Sequence, residues 1–193
     1  MAGVFCLGIA TLDYVYSVET MPTRGEKYRS RGLAVVGGGC AGNASVAVAR
    51  LGGACWLATR LADDLTGDQI VADLERGLPV ADRSVDHIFA VQFLEHVHQL
   101  LPVLNELHRV LRPEGVLHVM VPHKASVNAW ADPTHVRWFH PQTFKFLCRP
   151  YPDLRLYYPL IVSESTDNIF ADLQPVGVGR PQASEEELAR FFN

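Results

Sequence analysis

The sequence predicts an α/β fold: a Rossmann-like three-layer sandwich with a mainly parallel sheet and a C-terminal antiparallel hairpin. Two observations lead to this prediction. Apolar, β-branched segments alternate with helix-like segments through most of the 193 residues, which is typical of a parallel sheet covered by helices. Near the C-terminus, two strand-like segments, 154–162 and 168–176, follow one another without a helix between them.

A glycine run organises the first half of the chain. The glycines at 37–39 interrupt the strand pattern and precede a small-residue helix at 43–51, which a glycine pair ends. The other elements expected in this half are strands at 4–10 and 14–18, a polar strand pair at 26–36 bent around Gly32, a strand at 54–61 and a helix at 68–75.

The second half continues the alternation after Gly77. Its signals are apolar strands, one long amphipathic helix and a final capping pattern at Ser184. The expected elements are a strand at 87–91, a helix at 94–111 bent near Pro102, a turn at 112–115, a strand at 116–121, a helix at 141–147, the hairpin and a short terminal helix.

Composition excludes several classes of function. The net charge of −4 argues against a nucleic-acid partner, and no apolar run reaches the roughly 20 residues that span a membrane. The four cysteines contain no CxxC pair, which favours reduced, mostly buried thiols in a cytoplasmic protein. We therefore expect a small-molecule substrate; the oligomeric state stays open.

The glycine run has one formal match to a nucleotide-binding motif. Gly37, Gly39 and Gly42 satisfy GxGxxG, and glycines before a helix N-terminus allow backbone N–H groups to approach a ligand. The dinucleotide fingerprint also needs an acidic residue after the next strand, where this chain has Arg60. A dinucleotide site is therefore disfavoured.

A sugar-kinase resemblance covers residues 4–76. The segment 38–45 (GGCAGNAS), followed by 49–53 (ARLGG), resembles the first signature of the PfkB, or ribokinase-like, sugar kinases. The segments 22–26 (PTRGE) and 63–68 (DDLTGD) resemble further elements of that family in the same order.

The kinase resemblance implies sugar contacts without phosphoryl transfer. It places Asp13, Gly38, Gly39 and Asn43 against sugar hydroxyls, which carboxylates and amides bind directionally. The family keeps its catalytic base and ATP site in a later GAGD motif, and no such segment follows residue 77. We therefore expect no ATP site.

A second resemblance covers residues 78–176. The segments 78–86 (LPVADRSVD), 94–96 (LEH) and 106–115 (ELHRVLRPEG) resemble the C-terminal half of class I S-adenosylmethionine-dependent methyltransferases of type 11, with Glu114 where that family usually has glycine. The segment at 132–135 (DPTH) resembles one found in some members. The C-terminal hairpin, to about residue 176, resembles that family in topology but not in sequence motifs.

The methyltransferase resemblance implies S-adenosylmethionine as the cofactor. His96 and His135 would lie on the substrate side as candidate catalytic residues, because histidine can exchange a proton near neutral pH. Ligands of open α/β sheets bind at the carboxyl ends of strands. The implied cofactor contacts are Leu78, Gln92, Phe93 and Leu94.

The two resemblances together predict a hybrid chain with impaired or no catalysis. The methyltransferase ExGxGxG loop, which holds the cofactor, has no counterpart after Leu78. The predicted segments are 1–77, 78–176 and a tail at 177–193, combined in one domain. The alternatives are a sugar-binding kinase fragment and a non-catalytic fusion or engineered chimera.

Histidine spacing predicts no metal site. His96 and His98 lie two residues apart on the expected helix and would therefore point in different directions. The remaining histidines show no ligand spacing typical of a zinc site.

Overall fold

The computed structural model describes residues 3–20, 23–25, 27–59, 78, 80–177 and 179–192. A six-stranded mixed sheet forms the centre of this part of the chain. In spatial order its strands are β4 (Ala54–Ala58), β1 (Gly3–Leu7), β5 (Val85–Val91), β6 (Leu111–Pro122), β8 (Asn168–Pro175) and β7 (Tyr157–Glu164).

Five strands of this sheet run in one direction, and β8 runs in the opposite direction between β6 and β7. β4, β1, β5 and β6 run in one direction, whereas β8 pairs antiparallel with both β6 and β7. The sequence of β1 is apolar and mostly buried, as expected for a strand with parallel neighbours on both sides. The predicted Rossmann-like α/β fold with a C-terminal antiparallel hairpin is confirmed.

Helices connect the strands and cover the sheet. They begin and end at α1 Cys40–Arg50, α2 Leu100–Val110, α3 Val127–Ala131, α4 Pro141–Leu147 and α5 Glu185–Phe192, with a 3-10 helix at Leu94–His96. The predicted helix at 141–147 and the predicted terminal helix are both present.

Helix α2 supplies one side of the hydrophobic core. Val103, Leu104, Leu107 and Val110 are all buried and lie on one stripe of the helix, the arrangement expected of a helix that packs on a sheet. The buried Tyr157 hydroxyl donates a hydrogen bond of 2.7 Å to the Leu104 carbonyl. Helix α2 is thereby attached to the hairpin strand β7.

The predicted helix at 94–111 is wrong in its first part. The chain forms a 3-10 helix at Leu94–His96, becomes extended at Val97, and begins α2 only at Leu100. Pro102 therefore lies in the first turn of α2, where its missing N–H costs no helical hydrogen bond. In a continuous helix it would have interrupted the ladder.

The predicted strand pair at 26–36 is also wrong. The antiparallel pair joins β2 (Thr11–Ser17) to β3 (Gly32–Gly38), and Gly32 begins a strand instead of forming a bend. Both strands are rich in β-branched, aromatic and other apolar residues, which favour cross-strand pairing. This pair forms a two-stranded sheet separate from the central one.

The predicted turn at 112–115 is part of β6. Val85 pairs with Leu111, and the next pairing joins His87 to Val116. The four intervening residues form an irregularity of the β-bulge kind, so the chain turns locally without leaving the sheet.

Several sequence predictions fall outside the described residues. They are the DDLTGD segment at 63–68, the helix at 68–75 and the segment boundary near residue 77. Within the described part, no helix is long and apolar enough to cross a membrane. The four cysteines are free thiols; Cys6 and Cys148 are buried as predicted, whereas Cys40 is exposed.

Candidate functional site

The order of the strands creates a crevice between β1 and β5. The chain leaves β1 and next enters the central sheet on one side of it, at β4, and then on the other side, at β5. In open α/β sheets such a reversal leaves a gap at the carboxyl ends of the two strands, and ligands bind there. The residues that follow β1 and β5 are therefore the candidate site.

The loop after β1 packs directly against the end of β5. A Cβ atom on Gly8 would lie 3.0 Å from the Val91 carbonyl oxygen and 3.3 Å from the Cβ atom of Ala41. Thr59 anchors the same loop, because its hydroxyl accepts a 2.9 Å hydrogen bond from the Ala10 N–H. The carboxyl ends of β1 and β5 thus meet at a position where only a small residue fits.

Helix α1 begins at the same point. Gly39 precedes the helix with a φ angle of 84°, a conformation that favours glycine, and a Cβ atom there would overlap the Ile9 carbonyl oxygen. The Ala41 N–H donates to that carbonyl at 3.2 Å. No side chain caps this helix, and the first N–H groups of a helix attract anionic or polar ligand groups.

Gln92 forms the far wall of the crevice. Its backbone has a φ angle of 50°, unusual for a residue with a side chain, and its N–H donates to the Met120 carbonyl at 2.8 Å. Its side-chain amide donates to Asn168 at 3.0 Å. Gln92 thereby joins the ends of β5, β6 and β8.

The residues after Gln92 turn inward. Phe93 is half-buried against the core, and the Leu94 side chain is 1% exposed and belongs to the core itself. Leu78 lies elsewhere: its N–H donates to Glu106 and its carbonyl accepts from Arg109, both on α2. The structure thus separates Leu78 from Gln92, and the cofactor roles of these residues stay predictions.

The kinase-like residues lie beside the start of α1. Asp13 approaches Gly38 so closely that a Cβ atom on that glycine would collide with the carboxylate, and the Thr11 hydroxyl donates to Asp13 at 2.8 Å. Asn43 is exposed on α1. Asp13, Gly38 and Gly39 therefore share one neighbourhood, and their roles in sugar binding stay predictions.

A second cluster lies just beyond the end of β5. One potential ligand atom from each of Glu95, His96 and His135 lies within 4.8 Å of the others, and the two imidazole rings meet edge to face with centroids 4.8 Å apart. Both candidate catalytic histidines are therefore in contact, although they are far apart in the chain.

Hydrogen bonds orient both histidine rings. The Thr134 hydroxyl donates to Asp132 at 2.7 Å and therefore accepts from His96 Nδ1 at 3.0 Å. His135 Nδ1 lies 3.0 Å from the Ala129 carbonyl oxygen, to which it donates. In a neutral imidazole whose Nδ1 is protonated, Nε2 carries the lone pair. Both rings are thus the same tautomer.

Main-chain contacts hold the two halves of this cluster together. The Val136 N–H donates to the Glu95 carbonyl at 2.9 Å. The Arg137 guanidinium donates to the Val97 carbonyl at 2.6 and 2.9 Å and to the His98 carbonyl at 2.8 Å. The loop that contains His135 is therefore fixed against the segment that contains Glu95 and His96.

Glu95 is the most unusual member of the cluster. The residue is 1% exposed, and neither carboxylate oxygen meets hydrogen-bond geometry with a partner in the described part of the chain. Burial raises the pKa of Glu95 to about 7, because a low-dielectric environment disfavours the charged form, although the backbone N–H groups of Glu95 and Phe93 lie near enough to lower this pKa slightly. A buried carboxyl without partners is costly and therefore invites a functional explanation.

Sequence reasoning did not identify Glu95 as a site residue. It belongs to the LEH segment, where the predicted helix would have made it one of many acidic residues on a surface. Its burial depends on the break in that helix and on a loop almost 40 residues away. The coincidence of the LEH and DPTH segments within one resemblance was the available signal.

Comparison with known families supports the methyltransferase part of the prediction. The family model described as a methyltransferase domain (Methyltransf_11) matches residues 38–119. This match begins in the glycine run and crosses the boundary predicted near residue 77. Neither it nor the solved structures that are similar to this chain support the sugar-kinase resemblance.

Two solved structures are similar in fold. The PH0226 protein from Pyrococcus horikoshii OT3 superposes with a TM-score of 0.55 at 12% identity, over 70% of this chain and 79% of that one. A chain in the complex between the Haloferax volcanii Trm112 methyltransferase activator and the putative methyltransferase gives 0.53 at 15% identity, over 70% and 78%. The chain thus shares a Rossmann-like α/β fold with these two structures.

Proposed function

We propose that this protein binds S-adenosylmethionine in the crevice between β1 and β5, and that its methyl-transfer activity is weak or absent. The observation that supports this proposal is the convergence of Gly8, Gly39 and Gln92 at the point where the strand order reverses. This is the position at which α/β sheets bind ligands.

The described residues fit one end of the cofactor. The uncapped N-terminus of α1 offers backbone N–H groups that suit the carboxylate of the methionine moiety. The Gln92 turn would border the same ligand. When bound, the cofactor supplies a methyl group on a positively charged sulfur, and the protein's contribution is to align it with an acceptor.

The fit is poorer at the ribose. Methyltransferases of this resemblance hold the ribose with an acidic residue after the second parallel strand. Here Thr59 follows β4 and its hydroxyl is occupied by the Ala10 N–H. Thr59, the described residue at this position, offers no carboxylate to a ribose, and a cofactor held without one would be less precisely oriented, which supports impaired transfer.

His96 and His135 would lie on the acceptor side of this crevice. His96 lies shortly after the end of β5 in the chain, and His135 contacts it. Hydrogen bonds with Thr134 and Ala129 fix the orientation of the two rings. A neutral Nε2 can accept a proton from a small acceptor molecule as its nucleophile attacks. We propose a small-molecule acceptor, since the negative net charge disfavours nucleic acid.

Calorimetric titration with S-adenosylhomocysteine tests cofactor binding. We expect saturable binding that Gly39→Ala weakens at least about tenfold, a loss of about 1.4 kcal/mol, because the added methyl group collides with Ile9. Gly52→Ala is the matched control: its φ angle is 81°, but the space around it is open and it lies at the far end of α1.

Gly52→Ala should lower the free energy of unfolding without changing the affinity for S-adenosylhomocysteine. Two results would contradict the proposal and favour a non-catalytic fusion. They are an equal loss of S-adenosylhomocysteine affinity in both variants, and no detectable binding of S-adenosylhomocysteine by the folded wild-type protein.

A sugar site is the second candidate function. The contact of Asp13 with Gly38 favours it, because the kinase resemblance requires both residues at one site. The same calorimetric protocol with a panel of hexoses and pentoses would detect it. Saturable binding that Asp13→Asn abolishes supports a sugar-binding module, whereas unchanged binding in that variant excludes this site.

A further inference from the structure

We propose that Glu95, His96 and His135 form a binding site for a divalent transition-metal ion such as Zn²⁺, with a coordination position left open to an oxygen or nitrogen donor of a small molecule. This site goes beyond the proposed function and does not depend on S-adenosylmethionine binding, because its ligands lie past the end of β5 and outside the glycine loop. An ion bound there would occupy Nε2 of His96 and His135, so that the ion, and not the imidazoles, would activate an acceptor molecule.

The donor set suits such an ion. Two imidazoles and one carboxylate form a common three-residue set for Zn²⁺ and its neighbours, which leave further positions for water or substrate. Ligand atoms lie about 2.0–2.2 Å from Zn²⁺ and hence about 3–4 Å from one another. The three ligand atoms here already lie within 4.8 Å, so small side-chain rotations bring them to the ion.

The hydrogen bonds that surround the cluster match those of metal-bound histidines. Such histidines donate their second ring N–H to a carboxylate, a hydroxyl or a backbone carbonyl, which fixes the tautomer and the ring. His135 donates to the Ala129 carbonyl, and His96 to Thr134, whose hydroxyl is in turn held by Asp132. With Nδ1 of each ring bonded in this way, Nε2 is the nitrogen that we propose binds the ion; in His135 it lies 3.8 Å from Asp132 Oδ2.

Glu95 provides the independent observation. Its side chain is fully buried, both oxygens lack a hydrogen-bond partner among the described residues, and one of them faces the two histidines. An isolated buried carboxylate costs several kcal/mol of desolvation and needs a compensating partner. A cation that also binds the two imidazoles supplies that partner.

The site is also held in place before any ion binds. The Val136 N–H bond to the Glu95 carbonyl and the Arg137 contacts with Val97 and His98 lock the two contributing segments together. A preformed set of ligands loses little entropy on binding, and this favours a specific site over a chance cluster of surface groups.

The test uses the full-length protein, stripped with chelator and titrated with Zn²⁺ and Co²⁺ alone. We expect one ion per chain. The Co²⁺ protein should show visible absorption of a low-coordinate nitrogen–oxygen site, and added imidazole should shift that spectrum by occupying the open position. Glu95→Gln should lower the Zn²⁺ affinity by more than the roughly 10–100-fold that is lost when a residue that only hydrogen-bonds a metal ligand is replaced.

The histidines allow a matched comparison. His96→Gln should lose the ion, whereas His98→Gln, an exposed histidine two residues later, should bind it as the wild type does. Thr134→Val should weaken binding about 10–100-fold and leave the stoichiometry at one. Circular dichroism spectra confirm that each variant is folded.

Three results would overturn the proposal. They are the absence of stoichiometric binding by the folded wild type, equal affinity in wild type and Glu95→Gln, and equal losses in His96→Gln and His98→Gln. Because no cofactor is present in the titration, each result is independent of whether S-adenosylhomocysteine binds.

Discussion

Arg109 holds the segment that precedes β5 against helix α2. Its guanidinium donates to the carbonyl oxygens of Leu78 and Val80 at 3.2 and 2.9 Å, binds Glu106 at 2.6 and 2.8 Å, and pairs with Asp82. These bonds are charge-assisted and partly buried, which makes them stronger than ordinary surface ion pairs. Two residues that carry the methyltransferase resemblance, Glu106 and Arg109, thus stabilise the fold and lie away from the crevice.

His108, next to Arg109, predicts how stability depends on pH. Burial lowers the pKa of His108 below its ordinary value, and its Nε2 has no hydrogen-bond partner among the described residues. The folded protein therefore resists protonation there, whereas the unfolded chain accepts the proton near pH 6.5. We expect the free energy of unfolding to fall as the pH decreases below about 6.5.

Urea unfolding of the wild type and of His108→Leu at pH 5.0, 6.0 and 7.5 measures this effect. The variant should depend less on pH than the wild type over this range. If the free energy of unfolding changes with pH equally in the two proteins, His108 takes up its proton equally in the folded and unfolded states.

At the scale of elements, the start of α5 shows the clearest link between sequence and structure. Ser184 Oγ accepts from the Glu187 N–H at 3.2 Å, and Glu187 accepts from the Ser184 N–H at 2.8 Å. This reciprocal pair is a capping box. The cap positions α5 so that Leu188 and Phe192 are buried.

Ser184→Ala should therefore destabilise the protein by about 1 kcal/mol. Thermal unfolding followed by circular dichroism measures the loss, and Ser163→Ala, at an exposed serine of β7, serves as the control. A loss no greater than that of the control would mean that packing alone fixes the start of α5.

Elements whose signals are local were predictable, and those that depend on distant partners were not. The helix at Pro141–Leu147 and the terminal helix carry their caps in their own sequence. The break after Leu94–His96 depends partly on Arg137, which binds carbonyls there from another loop. No periodicity in the segment 94–111 reveals that contact. For the same reason the Glu95 cluster was not foreseen.

At the scale of the molecule, one sheet joins the two halves that resemble different families. β1 lies between β4 and β5 and pairs with both, so strands from before and after residue 77 share one ladder. The alternation of strands and helices predicted this architecture. The paired residues could not be predicted, because register depends on which strands become neighbours.

A shared sheet predicts a single cooperative unfolding transition. Leu7→Ala removes a side chain that is 1% exposed on β1 and should cost about 2–5 kcal/mol. Far-UV circular dichroism and tryptophan fluorescence should report the same shifted midpoint, because Trp56 and the pair Trp130–Trp138 lie in different halves. Two separate transitions, with only one shifted, would show that the halves fold independently.

The two-stranded sheet has a consequence for how this fold tolerates change. Thr11 pairs with Gly38, so the two ends of this segment lie together, between the loop after β1 and the start of α1. The strands between these two residues, β2 and β3, pair with each other and not with the central sheet. Because this two-stranded sheet shares no ladder with the central sheet, we expect changes in its length to leave the pairing of the central strands unchanged, while its first and last residues stay beside the crevice. Sequence changes in this two-stranded sheet can alter which small molecules enter the crevice, so that new ligand selectivity can arise there at little cost to the stability of the central sheet.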